Sequence, residues 1–177
     1  VFGDWSSDVC SSDLNTAYTE GQWVRPTGDG AYNAGTGYMF PSMTSNSSPY
    51  PLVASSSSVF SSPGYDPFRL FDRNSGTRWS SASWQAEWWI KIDLGVAQVV
   101  NKIRYLAYSS ANSPKRWKLS GSNDGVLWAD LLDNTGVDVA VPNNGEWSPY
   151  FTFTNSTLYR YYLFTMLNVD KIGRAHV

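Results

Sequence analysis

From residue 52 onward, short segments of alternating apolar and polar residues are separated by clusters of turn-forming residues. Residues 87–94 (EWWIKIDL) alternate as a half-buried strand does, and residues 98–108 (QVVNKIRYLAY) give the strongest strand signal. Further short strands are predicted at residues 52–57, 116–120, 126–132, 151–154 and 159–166. This series of short strands predicts an all-β sandwich or barrel.

The remaining patterns predict turns and one short helix. PFRLFD, within residues 65–74, is long enough for a single helical turn after Asp66. The sequence Asp124-Gly125 predicts a tight turn. Because residues 15–40 are rich in Gly, Thr and Tyr and show no sustained period, we assign residues 15–45 to a linker or to the end of a preceding domain. Residues 46–170 are then the folded domain.

Both ends of the chain resemble translated sequencing adapter. Residues 4–14 (DWSSDVCSSDL) have this form, and residues 171–177 (KIGRAHV) match the same adapter read from the other strand. We therefore interpret residues 1–14 and 171–177 as artefact and the chain as a fragment of a gene from an uncultured sample. The single cysteine, Cys10, and the single histidine, His176, fall in these ends. This interpretation removes thiol, zinc and histidine chemistry from the domain.

Composition excludes further classes of protein. The net charge is -2 and the pI is about 5.2, which argues against nucleic acid or an anionic membrane as the partner. Aromatic residues make up 16% of the chain, which is enough to fill a core and still leave rings on loops. No stretch approaches the roughly 20 apolar residues of a membrane helix, so no membrane span is predicted.

Four stretches, taken together, resemble a known family. They are FDRNSGTRW at 71–79, WIKIDLG at 89–95, SPKRWKLSGSNDGVLW at 113–128 and YRYYL at 159–163. They resemble the discoidin, or coagulation-factor type C, domain family, which includes galactose-binding-like carbohydrate-binding modules. The resemblance covers about residues 46–169. It implies an eight-stranded jelly-roll β-sandwich without catalysis, with ligands bound at loops on one end.

The Asp-x-Asn-x-x-Thr motif offers oxygen atoms of the kind that calcium binds. Asp72 can supply a carboxylate, Asn74 a carbonyl, and Thr77 its hydroxyl and backbone carbonyl. The alternative is an Asx-turn in which Asp72 and Asn74 bond their own backbone. The resemblance implies a structural calcium ion here and adds the carbonyl of Arg69. It also implies a glutamate from the last strand of the domain, and we expect this chain to lack that strand, which leaves the site incomplete.

Aromatic residues divide into predicted core and predicted ligand-binding rings. We expect the tryptophans of the motifs to lie in the core, because large rings dominate sandwich cores: these are Trp79, Trp89, Trp117 and Trp128. Rings on loops can cover the apolar face of a sugar while amides bond its hydroxyls. The candidate ligand-binding residues are Tyr65, Trp84, Tyr108, Asn112 and Trp147. The alternative for each ring is packing against its own loop.

One departure from the family concerns the sugar. Galactose-binding members commonly carry an arginine, a histidine and an asparagine around the pocket. Here Tyr108 or a neighbour stands about where that arginine is expected, and the domain has no histidine once the two ends are set aside. The resemblance therefore does not specify galactose.

The sequence favours a non-catalytic carbohydrate-binding or adhesion module that tethers a larger extracellular or phage tail protein to a glycan surface. Residues 41–58 are similar to segments of discoidin-like domains in phage tail and bacterial surface proteins. The alternatives are a lipid- or protein-binding discoidin domain and a structural spacer in a fibre. Glu87 and Glu146 lie beside the loop tryptophans, which disfavours anionic lipid. No nucleophile motif or phosphate loop is present, so an enzyme is not expected.

Overall fold

The computed structural model describes residues 2–6, 40–82 and 85–167, and for residues 2–6 it describes the backbone alone. In this part of the chain, eight strands form two antiparallel sheets. The strands are β1 (Phe2–Ser6), β2 (Val53–Ser56), β3 (Glu87–Gln98), β4 (Lys102–Tyr105), β5 (Arg116–Ser122), β6 (Ala129–Asp133), β7 (Phe151–Thr152) and β8 (Tyr159–Leu167). Two 3-10 turns, Pro67–Leu70 and Ser110–Asn112, complete the elements.

The two sheets differ in width. The smaller has the order β1-β4-β7, and the larger has the order β2-β3-β8-β5-β6. The predicted all-β sandwich is therefore confirmed, and so is the short helical turn after Asp66. No helix in the described ranges is long and apolar enough to cross a membrane.

Two strand boundaries differ from the prediction for identifiable reasons. The strand expected over residues 98–108 is shorter, because Gln98 ends β3 and the chain turns before β4. The Tyr162 hydroxyl holds this corner by donating to the Gln98 carbonyl (2.6 Å) and accepting from the Val100 amide (3.1 Å). The strand expected over residues 126–132 begins only at Ala129, since the preceding residues belong to a turn.

The backbone of β1 falls within the segment assigned above to adapter. It pairs antiparallel with β4 along the edge of the smaller sheet, opposite the edge that β7 occupies. The origin of residues 1–14 and the domain limits stay predictions.

Trp117 joins the two sheets in the core. Its side chain on β5 is fully buried, with its ring 4.9 Å from that of Phe164 on β8 and 4.8 Å from that of Phe151 on β7. Phe151 in turn stacks with Tyr105 of β4, at 6.1 Å between ring centroids. Aromatic pairs at such separations contribute beyond their buried area, so this cluster fixes how the sheets face each other.

The other predicted core tryptophans have mixed outcomes. Trp79 is half-buried and packs against the core, as expected. Trp89 was wrongly placed, because alternation along β3 turns Trp88 inward and Trp89 outward, where its ring lies beside Lys91. Trp128 is half-buried and lies outside the core cluster.

Two motif glycines are required by close packing. A Cβ on Gly121 of β5 would lie 2.5 Å from the Tyr159 ring. Gly95 has φ +72°, and a Cβ there would lie 2.3 Å from the ring of Pro51. The glycines of the SGSNDG and IDLG stretches therefore admit neighbouring rings that any other residue would displace.

The buried tyrosines predict how stability depends on pH. Burial raises the pKa of Tyr105 to about 12, and burial also raises the pKa of Tyr162 from its ordinary value of 10.0. Their contribution is present below pH 10, the unfolded value, and is lost as the pH rises through the folded values. We expect the free energy of unfolding to fall by on the order of 2 kcal/mol for Tyr105 alone.

Urea unfolding between neutral and strongly alkaline pH measures this loss. Tyr105→Phe should make the free energy of unfolding decline less steeply with alkaline pH, because it removes one of the two buried tyrosine hydroxyls that lose a proton on unfolding. An unchanged slope in this variant would contradict the assignment.

Candidate ligand-binding site

Loops at one end of the sandwich contact each other. The strand register places the end of β2, the beginnings of β3 and β5, and the end of β8 there. The Phe60 amide donates to the Ser80 carbonyl (2.8 Å), and the Ser110 amide donates to Asn144 Oδ1 (2.8 Å). We call this surface the loop end and define it by residues 58–65, 78–82, 108–113 and 143–147.

Arg78 lies at the centre of the loop end. Its guanidinium carbon is 3.7 Å from the ring centroid of Tyr108 and 4.8 Å from that of Tyr65. Its Nη2 also donates to the Tyr65 hydroxyl (3.1 Å). The Phe60 ring meets the Tyr65 ring edge-on at 5.5 Å, and Tyr108 is 55% exposed. Two loops thus present tyrosine rings on either side of one cation.

The residues next to Arg78 hold it in place. Trp79 Nε1 donates to Ser56 Oγ (3.1 Å) and to the Ser58 carbonyl (3.0 Å), which ties the loop to the end of β2. On the other side, the Thr77 amide donates to the Asn74 carbonyl (3.1 Å). Arg78 is therefore set between two anchored residues, which fixes the position of its backbone.

The charge of Arg78 has no carboxylate partner among the described residues. Arg160 pairs with Asp93 (2.8 Å) and Arg116 pairs with Asp138 (2.6 Å), whereas Arg78 lies against Tyr65 and Tyr108. Glu146, on an adjoining loop, accepts from Asn143 Nδ2 instead (2.9 Å). One of the five guanidinium N–H groups is used by Tyr65, so others are available to a ligand.

The structure brings together some of the predicted binding residues. Tyr65 and Tyr108 meet at Arg78, as described. Asn112 is exposed on the adjoining 3-10 turn. Trp147 is 37% exposed and stacks on a different cation, with the Arg104 guanidinium carbon 4.4 Å from its ring centroid. Trp84 lies outside the described residues.

Sequence reasoning missed the cations of the site. Arg78 occupies the variable position of the Thr-x-Trp motif, so the motif singles out Thr77 and Trp79 and says nothing about Arg78. The signal that could have identified Arg104 is alternation along β4. Ile103 and Tyr105 are buried, so Arg104 between them faces outward. Tyr150, whose ring centroid is 4.7 Å from the Arg104 guanidinium carbon, had no pattern that singled it out.

The Asp72 loop forms an Asx-turn in this structure. Asp72 Oδ1 accepts from the Asn74 amide (2.9 Å), and Asn74 Oδ1 accepts from the Gly76 amide (2.9 Å). The Thr77 hydroxyl lies 2.7 Å from Asp72 Oδ2 and 2.9 Å from the Asn74 carbonyl. The loop is closed by its own polar groups, the alternative considered above.

These oxygen donors suit calcium in type, although only one is a carboxylate. The oxygens of Asp72, Asn74 and Thr77 lie within one turn, and a hard cation takes such ligands. Arg69 lies with its Nη1 3.5 Å from Asp72 Oδ2, so a positive charge already stands beside the carboxylate. No group of three or more His, Cys, Asp or Glu side chains suited to a metal occurs in the described part of the chain.

The two antiparallel sheets define a class of protein, the galactose-binding-like jelly roll. The F5/8 type C domain model matches residues 52–172, which is more than half of the chain. The chain therefore belongs to the F5/8 type C, or discoidin, domain family, and the predicted resemblance is confirmed. A comparison with curated proteins finds no match.

Similar solved structures include carbohydrate-binding modules. A variant of chitosan-binding module 1 from the chitosanase/glucanase of Paenibacillus sp. IK-5 is 27% identical, with a TM-score of 0.53 over 66% of this chain and 82% of that one. Module 2 of the same enzyme, in complex with chitotriose, is 21% identical with a TM-score of 0.53 over 66% and 83% of the two chains. A pectin-binding module is 23% identical with a TM-score of 0.54 over 67% and 80%.

The Asx-turn of the Asp72 loop predicts how a substitution at Thr77 changes stability. Thr77→Val removes the hydroxyl that bonds the largely buried Asp72 carboxylate, whose side chain is 7% exposed. We expect the free energy of unfolding to fall by about 1–3 kcal/mol, because the carboxylate loses a buried partner. Urea unfolding measures this, with Thr135→Val, which removes an exposed hydroxyl bonded to Asp133, as the control. Equal losses in the two variants would contradict the special role of Thr77.

Proposed function

We propose that this domain is a non-catalytic carbohydrate-binding module and that the loop end holds the glycan. The observation that carries the proposal is the Arg78 guanidinium placed against Tyr65 and Tyr108 at that end. The similar structures support it, because they are modules named for binding chitosan, chitotriose or pectin.

The chemistry of the loop end suits a sugar. A pyranose ring has an apolar face of C–H groups, and the exposed Tyr108 ring offers a plane that covers such a face at little cost in side-chain entropy. The remaining N–H groups of Arg78 and the exposed amide of Asn112 can then bond hydroxyl oxygens. Apolar contact and polar recognition thus come from neighbouring loops.

The hydrogen bonds of two carboxylates, Asp93 and Asp124, support a binding role without catalysis. A glycosidase needs two carboxyl groups that face each other across a cleft. Asp93 is engaged in a bidentate pair with Arg160, at 2.8 and 2.9 Å. Asp124 caps a turn, and hydrogen bonds from the amides of Leu127 and Val126 lower its pKa. These two carboxylates stabilise strand ends and turns.

The same proposal extends to the larger protein of which this domain is a part. Carbohydrate-binding modules are commonly extracellular, and the similar chitosan-binding modules derive from a chitosanase/glucanase. We place this domain in a larger secreted enzyme or in a phage tail or bacterial adhesion protein, which it tethers to a glycan surface. The resemblance of residues 41–58 to phage tail segments favours the second parent.

A lipid-binding role is the second candidate, and one observation favours it. Val126 and Leu127 are 76% and 77% exposed at the tip of the β5–β6 hairpin, which the strand register places at the end opposite the loop end. Exposed aliphatic side chains on a turn can insert into a bilayer. The ionised Asp124 carboxylate within the same turn opposes binding to anionic lipid.

Isothermal titration calorimetry with soluble oligosaccharides tests the proposal. Arg78→Gln and Tyr108→Ala should each weaken glycan binding about ten-fold or more, because each removes a contact to the sugar. Leu127→Ala, at the opposite end, is the matched control and should bind as the wild type does. Retained affinity in the loop-end variants, or binding to phosphatidylserine vesicles that Leu127→Ala abolishes, would favour the second candidate.

Calcium in the Asp72 loop is a further part of the proposal. Calcium should raise the unfolding temperature of the wild-type domain modestly, since one carboxylate gives weak affinity. Asp72→Asn removes that charge and should abolish the increase. Differential scanning calorimetry with calcium or magnesium measures it. If calcium leaves the wild type unchanged, the loop is an Asx-turn without a metal function.

A further inference from the structure

A second group of aromatic and polar side chains lies at the end of the sandwich opposite the loop end. We call it the distal site and define it by Tyr50, Asp93, Arg160 and Tyr161. The strand register sets Asp93 of β3 opposite Tyr161 of β8, and Arg160 is the preceding residue of β8. From Glu87, at the loop end, to Asp93 the strand spans about 20 Å at roughly 3.3 Å per residue. The distal site is therefore separate from the loop end.

Tyr50 presents its ring to solvent from an anchored segment. Its exposure of 82% is the highest of the large apolar side chains in the described part of the chain. The Leu52 amide donates to the Pro49 carbonyl (3.0 Å), which closes a turn around Tyr50. Pro51 packs so closely against Gly95 that a Cβ there would lie 2.3 Å from the proline ring. The backbone that carries the Tyr50 ring is thus held against β3.

A bidentate ion pair forms the polar part of the distal site. Arg160 Nε and Nη2 donate to the two carboxylate oxygens of Asp93, at 2.8 and 2.9 Å. The Gly95 amide donates to Asp93 Oδ1 (2.7 Å), and the Arg160 amide donates to Asn123 Oδ1 (2.9 Å). Both members of the pair are therefore fixed by the backbone or by a neighbouring loop.

Two tyrosines lie near the Arg160 guanidinium. Its carbon is 5.0 Å from the Tyr161 ring centroid. A Cβ on Gly125 would lie 3.8 Å from the same ring, so the β5–β6 turn packs against it. The pKa of Arg160 is raised, mainly by its hydrogen bond to Asp93, and the charges of Tyr161 and Tyr50 contribute. Tyr50 is thus close enough to Arg160 for the two to act on one ligand.

The ion pair keeps hydrogen-bonding capacity for a ligand. Arg160 is 44% exposed and uses two of its five N–H groups on Asp93, so the others can donate to a ligand. Among the described residues, Asp93 Oδ2 accepts from Arg160 alone, and it can accept one further hydrogen bond. An acceptor and a donor therefore stand side by side, as two adjacent hydroxyl groups of a sugar require.

From this arrangement we infer a second carbohydrate-binding site, which takes a neutral pyranose that covers the Tyr50 ring with its C–H face and bonds Asp93 and Arg160 through adjacent hydroxyls. The inference goes beyond the proposed function, which places a glycan at the loop end. The charges of Asp93 and Arg160 balance each other, whereas Arg78 has no carboxylate partner in the described part of the chain. The distal site therefore suits an uncharged ligand.

A β-linked glucose chain has the shape that the distal site accepts. Its hydroxyl groups are equatorial, so both faces of each ring are flat and apolar and its polar groups lie at the rim. An exposed tyrosine can cover one face while the ion pair reads the rim. With sites at opposite ends, one domain can hold two polysaccharide chains together, which increases retention in a glycan matrix.

Backbone and arginine side-chain chemical-shift mapping of the full chain with cellotriose tests this inference. We expect saturable shifts at the amides of Tyr50, Asp93 and Tyr161 and at Arg160 Nε. Trigalacturonate, the charged comparison ligand, should leave these signals unchanged, because the balanced ion pair offers no net positive charge to its carboxylates.

Variants locate the sugar at the distal site. Tyr50→Ala should weaken cellotriose binding there about ten-fold without changing the unfolding temperature, because the ring is exposed. Arg160→Lys keeps a cation beside Asp93 and loses the planar fork, so it should also weaken binding. Val137→Ala removes another exposed apolar side chain, 62% exposed, and is the control that should bind as the wild type does.

Three results would overturn the inference. Cellotriose shifts that spare the distal site would exclude it, and shifts at Arg78 in the same titration would leave the proposed function standing. Unchanged affinity in Tyr50→Ala would show that the ring does not contact the sugar. Equal binding of trigalacturonate at these residues would exclude a neutral ligand. Shifts at the distal site alone, abolished by Tyr50→Ala, would support the inference and contradict glycan binding at the loop end.

Discussion

The contact of Trp117 with both sheets is the constraint on which the proposed ligand surface depends. Because its ring packs between Phe164 of the larger sheet and Phe151 of the smaller one, it sets how the sheets are placed. Phe151 stacks with Tyr105, which turns the odd-numbered residues of β4 inward and leaves Lys102 and Arg104 on the outer face. The chemistry of the surface thus follows from the packing beneath it.

The loop end is held by polar contacts that connect it to this core. The Asx-turn at Asp72 and the indole hydrogen bonds of Trp79 fix the residues on either side of Arg78. The loops around it carry no regular structure apart from one 3-10 turn, so their shape depends on bonds such as that between Ser110 and Asn144. The Asp-x-Asn-x-x-Thr motif therefore has a structural role directly beside Arg78, the residue that we propose binds the glycan.

The sequence predicts the fold well because a sandwich is encoded in local alternation and turn residues. Alternation along 87–94 located β3, and Asp124-Gly125 located the hairpin turn, since its carboxylate caps the turn amides. The prediction that Trp89 lies in the core is wrong, because its place in a motif does not reveal the register in which Ile90 faces inward. Register on a sheet is set by which face is buried, which a motif alone does not reveal.

The candidate site was only partly predictable. Loop position identified Tyr65 and Tyr108, but the cation between them comes from a third loop, and only tertiary structure brings three loops together. Arg104 and Tyr150 meet across a strand pair whose register depends on the turn at Gly145. Backbone amide chemical-shift mapping during titration with oligogalacturonate and with chitotriose tests the location of the proposed glycan-binding site most directly. We expect the shifts to concentrate at Arg78, Tyr108, Asn112 and Trp147; shifts confined to the hairpin tip at Val126 and Leu127, or none with either glycan, would contradict the account.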